Sequence, residues 1–184
     1  MQEKISHEEL SEILNRIIGW IGNCDTKAST ILGISGVVAS IFLATDYVDK
    51  MVLIYKYMID NFSAFSLIYL TCNLLSTGSC ILGCAFLVGV LIGRANIGEY
   101  AAKGIQVDSL IFFASIAQNA DFETYKEKLR KCSREEVDND MISQIYICSK
   151  ICSTKFHFYK IGLISSTVGF VIFLITVFVG CMVV

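Results

Sequence analysis

The sequence predicts an all-α membrane protein with three transmembrane helices. Three stretches contain no charged residue, namely residues 28–45, 62–93 and 161–184. A helix needs about 20 apolar residues to cross the hydrocarbon core of a bilayer, and each stretch approaches or exceeds that length. Only 17% of the 184 residues are charged, whereas soluble domains carry about 25%. The chain also lacks proline, the residue that breaks helices, so long uninterrupted helices are expected.

The N-terminal segment, residues 1–27, is predicted to lie in the cytoplasm and to contain an amphipathic helix over residues 7–24. Its aliphatic side chains recur at helical spacing and therefore share one face. They are Leu10, Ile13, Leu14, Ile17, Ile18 and Ile21. No proline separates this helix from the first membrane stretch, so one continuous helix is expected.

A charged pair stands at the entrance to the first membrane stretch. Lys27 can extend to the lipid headgroups and help to hold the N-terminus inside. If the helix restarted here, Asp25 would be its N-cap. In a continuous helix Asp25 needs a partner instead, and the basic residues of 94–160 are the candidates. The pair is therefore either a cap or ordinary salt bridge, or a gating or inter-subunit contact.

The distribution of basic residues predicts the orientation in the membrane. Residues 94–160 contain ten of the fifteen lysines and arginines, whereas the loop predicted at residues 46–61 contains two. Because cytoplasmic loops are enriched in Lys and Arg, the N-terminus and residues 94–160 are expected inside, and the 46–61 loop and the C-terminus outside. Lys155 and Lys160 are expected to contact lipid headgroups.

The region between the second and third membrane stretches is predicted to be helical. Residues 107–118 are apolar but too few to span a bilayer, so they are expected to be buried or interfacial. Asp121 is a plausible N-cap for the helix that follows. Ser133 and Glu136 form a capping box at the start of another helix. Apolar residues then recur every three or four positions, and we expect this helix to continue into the third membrane stretch.

Small residues recur at helical spacing in two membrane stretches. Ser29, Gly33, Gly36 and Ser40 form one stripe, and Gly89 and Gly93 form a GxxxG motif. Small residues let helix backbones approach closely in lipid. These residues could therefore mediate oligomerisation, line a pore with hydroxyl groups, or pack the helices of a single protomer.

The sequence contains no recognisable catalytic motif, so an enzyme is not expected. A zinc site usually needs four ligands. Eight cysteines are present, several of them inside apolar stretches, but there are only two histidines. Buried or reduced thiols, without a metal or cofactor, are therefore the expected state.

A cluster of basic residues in the cytoplasmic region is the strongest candidate for a ligand site. It consists of Lys126, Lys128, Arg130, Lys131 and Arg134. The cluster is either a solvated helix face that serves as a positive-inside anchor, or an anion site whose copies in an oligomer hold the phosphates of a nucleotide. The net charge of −2 gives no indication of a genomic nucleic-acid partner.

Several segments resemble the Pycsar effector transmembrane family in the same order along the chain. They are "CDTKASTILGISGVV" at 24–38, an aromatic block at Phe112 and Phe113, Asp140, Gln144–Tyr146, and Lys155–Phe156. The resemblance covers nearly the whole chain. One departure is "FFAS" where relatives often have a Y-F-G sequence.

The resemblance implies an antiphage defence effector of the bacterial inner membrane that impairs membrane integrity and causes abortive infection. Some members carry a separate cyclic-nucleotide-binding domain, for which this chain has no room. Small stand-alone effectors such as that of the Hailong system are oligomeric channels controlled by a nucleotide oligomer. A nucleotide second messenger or short oligonucleotide from a partner nucleotidyltransferase or cyclase is therefore the implied ligand. The alternative from the residues alone is a constitutive membrane adaptor or scaffold that anchors a partner protein.

Overall fold

A computed structural model describes residues 5–44, 46–92, 105–106 and 108–183. Within these ranges all regular structure is helical. The helices are α1 (His7–Ala44), α2 (Tyr47–Asp60), α3 (Ala64–Leu91), α4 (Phe113–Ala117), α5 (Phe122–Lys131) and α6 (Arg134–Val183). By length and composition α1, α3 and α6 can each cross a membrane, as the sequence predicted.

Two of the three spanning helices extend far beyond the membrane stretches. Helix α1 runs without a break through Asp25, so the N-cap interpretation of that residue is wrong and the prediction of one continuous helix is confirmed. Helix α6 has 50 residues and is about 75 Å long at 1.5 Å per residue. It contains both the capping box and the third membrane stretch, which confirms the predicted continuation.

The segment 46–61 is not a loop but is mostly occupied by α2. Its charged residues suggested a solvated connection, but Met51, Ile54 and Met58 recur at three- and four-residue spacing and are buried on one face. Helix α3 then begins at Ala64, after Ser63, whose hydroxyl accepts a hydrogen bond from the Ser66 amide at 3.3 Å.

The predicted helix caps of the region between α3 and α6 are confirmed. The Asp121 carboxylate accepts a hydrogen bond from the Thr124 amide at 2.7 Å at the start of α5. In the capping box, the Ser133 amide donates to the Glu136 carboxylate at 2.7 Å, and the Glu136 amide donates to Ser133 Oγ at 3.3 Å. Within the described part of the apolar segment 107–118, Leu110 and Ser115 are buried, whereas Phe113 is exposed.

The chain divides into two compact units, which we call the stalk unit and the membrane unit. The stalk unit comprises Met1–Asn23 and Gly93–Lys155, and the membrane unit comprises Cys24–Ile92 and Phe156–Val184. In the stalk unit only part of the predicted amphipathic face is buried: Leu10 and Ile17 are buried, but Ile13 and Ile18 are exposed.

The membrane unit has two clusters of buried side chains. One contains Cys24, Ala28, Leu87 and Val90, so it joins α1 to α3. The other contains Met51, Ile54, Met58 and Tyr69, so it joins α2 to α3. These two clusters fix three helices of the unit against one another.

Candidate functional site

Helices α3 and α6 of the membrane unit are in backbone contact along a seam of small residues. A Cβ atom added to Gly83 would clash with the backbone nitrogen of Ser166. One added to Gly169 would lie 2.8 Å from the backbone nitrogen of Cys80. One added to Gly162 would lie 2.8 Å from Leu87 Cγ. The two helices therefore pack with their backbones in contact at these glycines.

Hydrogen bonds between polar side chains reinforce this seam. Asn73 is only 2% exposed; its Nδ2 donates to Thr176 Oγ1 at 3.0 Å, and its Oδ1 accepts from the Tyr55 hydroxyl at 2.5 Å. These two bonds link α2, α3 and α6. Farther along, Ser79 Oγ donates to the carbonyl oxygen of Ser165 at 2.9 Å. Polar groups inside a membrane protein are expensive unless paired, so these bonds hold the three helices in one arrangement.

The small-residue stripe of α1 points away from the helices of its own protomer. A Cβ atom added to Gly33 or Gly36 would meet no atom of the described residues within 4 Å. Ser29 and Ser40 are also exposed, and their hydroxyls donate to the Asp25 and Gly36 carbonyls of the same helix. Packing among the residues that the structure describes therefore does not explain this stripe.

The second predicted glycine motif behaves differently. A Cβ atom on Gly89 would lie 3.3 Å from the ring of Phe158, so this glycine accommodates an aromatic side chain of α6 in the same unit. Gly93 lies outside the described residues. For Gly89, packing within the protomer is the observed role.

The charged pair on α1 lies in the middle of the helix. Asp25 is partly buried and Lys27 is exposed, both in the membrane unit. In the stalk unit, Lys155 is only 4% exposed, so its expected contact with lipid headgroups is wrong. An ammonium group is tolerated inside a protein only when it is paired. We therefore regard Lys155 as part of the internal polar structure, whereas Lys160 remains exposed.

Most of the basic cluster on and after α5 is paired with carboxylates. Lys126 lies 3.0 Å from Glu123, Lys128 lies 3.0 Å from Asp108, and Lys131 lies 3.1 Å from Glu127. Exposed pairs of this kind contribute about 0–1 kcal/mol, so a strongly charged ligand can displace them.

The other two members of the cluster differ from these lysines. Arg134 lies 4.0 Å from both Glu8 and Asp138. Arg130 is exposed and forms no ion pair with the described residues. Counting only partners among the described residues, the cluster therefore offers one unpaired cation and four that are already partly neutralised. The geometry neither assembles these residues into a pocket nor prevents them from binding an anion.

A buried carboxylate organises the chain beside α6 in the stalk unit. Asp140 is 0% exposed, and its Oδ2 accepts from Ser109 Oγ at 3.0 Å and from the Leu110 amide at 2.8 Å. The Tyr125 hydroxyl donates to the Leu110 carbonyl at 3.0 Å. Asp140 therefore clamps the segment before α4 onto the first part of α6.

One turn farther along α6, Gln144 is also buried. Its Nε2 and the Oδ1 of Asp140 have no hydrogen-bond partner among the described residues. Asp140 and Gln144 were singled out in the sequence only through the family pattern. A carboxylate and an amide four residues apart on a helix, between apolar neighbours, are the signal that could have predicted a buried polar clamp.

The beginning of α1 is held to the beginning of α6 by a second contact that the sequence did not predict. His7 Nδ1 lies 2.7 Å from Asp138 Oδ1, and both side chains are partly buried. Arg134 Nε lies 4.0 Å from the same oxygen of Asp138. Polar and charged side chains therefore join the start of α1 to the start of α6.

These features define an α-helical membrane protein whose spanning helices α1 and α6 each include residues of the stalk unit. Residues 9–181 match the family model described as "Pycsar effector protein domain". The chain is also 31% identical to the Pycsar effector protein GmPycTM of Gulbenkiania mobilis over 192 residues, which is 93% of this chain and 94% of that protein. The chain therefore belongs to the Pycsar effector transmembrane family, which confirms the resemblance seen in its motifs. No solved structure matches it.

Membership of this family makes the protein an antiphage defence effector with helices that can span a membrane. Pycsar effectors respond to cyclic nucleotides made by partner cyclases. The buried Asp140 and Lys155 both lie within the segments that carried the resemblance.

Proposed function

We propose that the protein is an oligomeric channel of the bacterial inner membrane that a nucleotide signal controls. When active, it depolarises the membrane and causes abortive infection. In this arrangement the N-terminus and the stalk unit lie in the cytoplasm, and the C-terminus lies outside.

The exposed stripe of α1 is the observation that carries this proposal. Helices α3 and α6 are in backbone contact at Gly83 and Gly169, so we place the aqueous path along α1 instead. Ser29, Gly33, Gly36 and Ser40 offer an exposed face of small and hydroxyl-bearing residues, and Cβ atoms added at the two glycines meet none of the described residues. Small faces bring helices of neighbouring copies together in lipid, and hydroxyls that are bonded to their own backbone can border water.

The ligand we propose is a nucleotide second messenger or a short oligonucleotide made by a partner nucleotidyltransferase or cyclase. Its phosphates would contact the basic residues of α5, with Arg130 as the first contact because it is exposed and has no ion pair among the described residues. Arginine binds phosphate oxygens in a bidentate manner. Lys126, Lys128 and Lys131 would exchange exposed carboxylate partners for the ligand.

Helix α6 gives a direct route from ligand to membrane. It carries Asp140 near one end and Gly162 and Gly169 in its membrane part, with no break between them. A rotation or shift of its first turns would therefore be transmitted along a stiff helix. Asp25 would contribute to the same transition if its charged contacts differ between the resting and active states.

Membrane potential in cells tests the proposal. We would express the protein with and without a partner cyclase and follow a potential-sensitive dye. The variant carries Gly33→Leu and Gly36→Leu, two positions at which an added Cβ atom meets none of the described residues within 4 Å. The matched control is Gly78→Leu on α3, where a Cβ atom likewise meets no described residue within 4 Å.

We expect the wild-type protein and the Gly78→Leu control to depolarise cells in a nucleotide-dependent manner, and the double variant to fail. If the double variant depolarises cells to the wild-type level, the α1 face has no role in the channel. A wild-type protein that alters neither potential nor survival, with or without the cyclase, would favour a constitutive scaffold instead.

A further inference from the structure

Helix α2 presents three different stripes along its length. Met51, Ile54 and Met58 form a buried stripe that packs within the membrane unit. Val48, Val52 and Ile59 are spaced by four and seven residues, so they share a second face. Asp49, Lys56 and Asp60, spaced by seven and four, share a third.

The second stripe is apolar and yet exposed. Val48 and Val52 are 46% exposed and Ile59 is 61% exposed, although the adjacent stripe of the same helix is buried. At 100° per residue, this apolar stripe lies between the buried stripe and the charged one. Around the axis the buried, apolar and charged stripes follow one another, and Leu53 and Tyr57, 56% and 42% exposed, lie beyond the charged stripe.

We infer that α2 lies along the interface of the bilayer, with Val48, Val52 and Ile59 in contact with lipid acyl chains and with its charged stripe in water. At 14 residues and about 21 Å, the helix is too short to cross the hydrocarbon core. Helices with one apolar and one charged face bind in the interface plane, with the apolar face about 5–10 Å below the headgroups.

The neighbours of α2 hold it at that depth. It follows the end of α1 at Ala44 and precedes the start of α3 at Ala64, so the two spanning helices place it at one face of the membrane. The Tyr55 hydroxyl donates to Asn73 of α3, which fixes the rotation of α2 about its axis. Phe62 and Phe65, at the junction with α3, are exposed, and aromatic residues favour the membrane interface.

This inference does not depend on channel activity or on a nucleotide. It adds an external membrane contact to a protein otherwise anchored by spanning helices. The alternative to lipid is a second copy of the chain that covers the same stripe. The experiment must distinguish these two occupants.

The test uses tryptophan fluorescence in reconstituted vesicles. The natural Trp20 is first replaced by Phe, and a single tryptophan is then placed at Ile59→Trp or Asp60→Trp. These consecutive residues lie at nearly the same height along the helix axis, and their side chains differ by a rotation of about 100° around it. The vesicles contain phosphatidylcholine and phosphatidylglycerol, with bromines near the headgroup end of the phosphatidylcholine acyl chains, and acrylamide is the aqueous quencher.

We expect brominated lipid to quench the Ile59→Trp protein about twofold or more strongly than the Asp60→Trp protein, with the reverse order for acrylamide. Equal quenching of the two by both agents would overturn the inference. An Ile59→Trp signal that neither agent quenches would show that a second copy covers the stripe, which also overturns it. Val48→Trp and Asp49→Trp form an independent pair if either variant of the first pair fails to reconstitute.

Discussion

Replacing Asp140 by Ala should release the segment 109–112 from α6. The carboxylate is the shared acceptor for Ser109 Oγ and the Leu110 amide, at 3.0 and 2.8 Å. A hydrogen bond to a charged group contributes about 1.5–3 kcal/mol, and the substitution leaves both buried donors without an acceptor. Removal of a buried carboxylate recovers part of its desolvation cost, so we expect a net local loss of about 2–4 kcal/mol.

Hydrogen exchange measured by mass spectrometry reports this loss directly. A change of 2–4 kcal/mol corresponds to about 30- to 900-fold faster exchange in peptides that contain the Leu110 amide. The control is Asn139→Ala, which removes an exposed side chain at the preceding position. Asp140→Asn keeps one oxygen that can accept from the two donors, so it should accelerate exchange at Leu110 by less than about tenfold.

If Asp140→Ala leaves exchange at Leu110 within threefold of the wild-type rate, the carboxylate does not hold the segment. A uniform acceleration over the whole stalk unit, with no excess at 109–112, would instead assign Asp140 to general stability.

Three further predictions concern other parts of the molecule. Asn73→Leu should lower thermal stability in detergent by about 1–2 kcal/mol, since it removes both interhelical bonds of the seam; an unchanged melting temperature would show that those bonds contribute nothing. Gly169→Leu should prevent α3 and α6 from packing and abolish recovery of a monodisperse protein, whereas Gly78→Leu should have no effect. Backbone amides lower the pKa of Asp121 and of Glu136 below their usual values of 3.8 and 4.5. The two ionised carboxylates therefore stabilise the starts of α5 and α6 at pH values above 3.8 and 4.5, and this stabilisation is lost as the pH falls below them. Exchange of the capped amides at neutral and acid pH, corrected for the intrinsic rate, should therefore show protection lost only in acid.

The spanning helices and the caps could be predicted because their signals are local. A charge-free stretch of sufficient length identifies a span, and a serine three residues before a glutamate identifies a helix start. The charged residues of α2 suggested a solvated loop, although Met51, Ile54 and Met58 recur at helical spacing and indicate a helix with one buried face. Charges tell only which face meets water, and they do not exclude a helix.

The roles of the glycines could not be predicted, since they depend on which distant helix faces meet. Gly33 and Gly36 on α1 are spaced like the small residues around Gly169 on α6, yet the first pair is exposed and Gly169 is in backbone contact. The pairing of Lys128 with Asp108, 20 positions away, is hidden for the same reason. Sequence spacing identifies a face but not its neighbour.

Native mass spectrometry of the detergent-purified protein, after coexpression with a candidate partner cyclase, distinguishes a nucleotide-bound oligomer from a monomer. We expect an assembly whose mass is a multiple of the 20.4 kDa chain, with bound nucleotide. We also expect Gly33→Leu with Gly36→Leu to reduce this assembly to smaller species, whereas Gly78→Leu should not. A wild-type monomer without nucleotide would contradict both the shared pore and the nucleotide site.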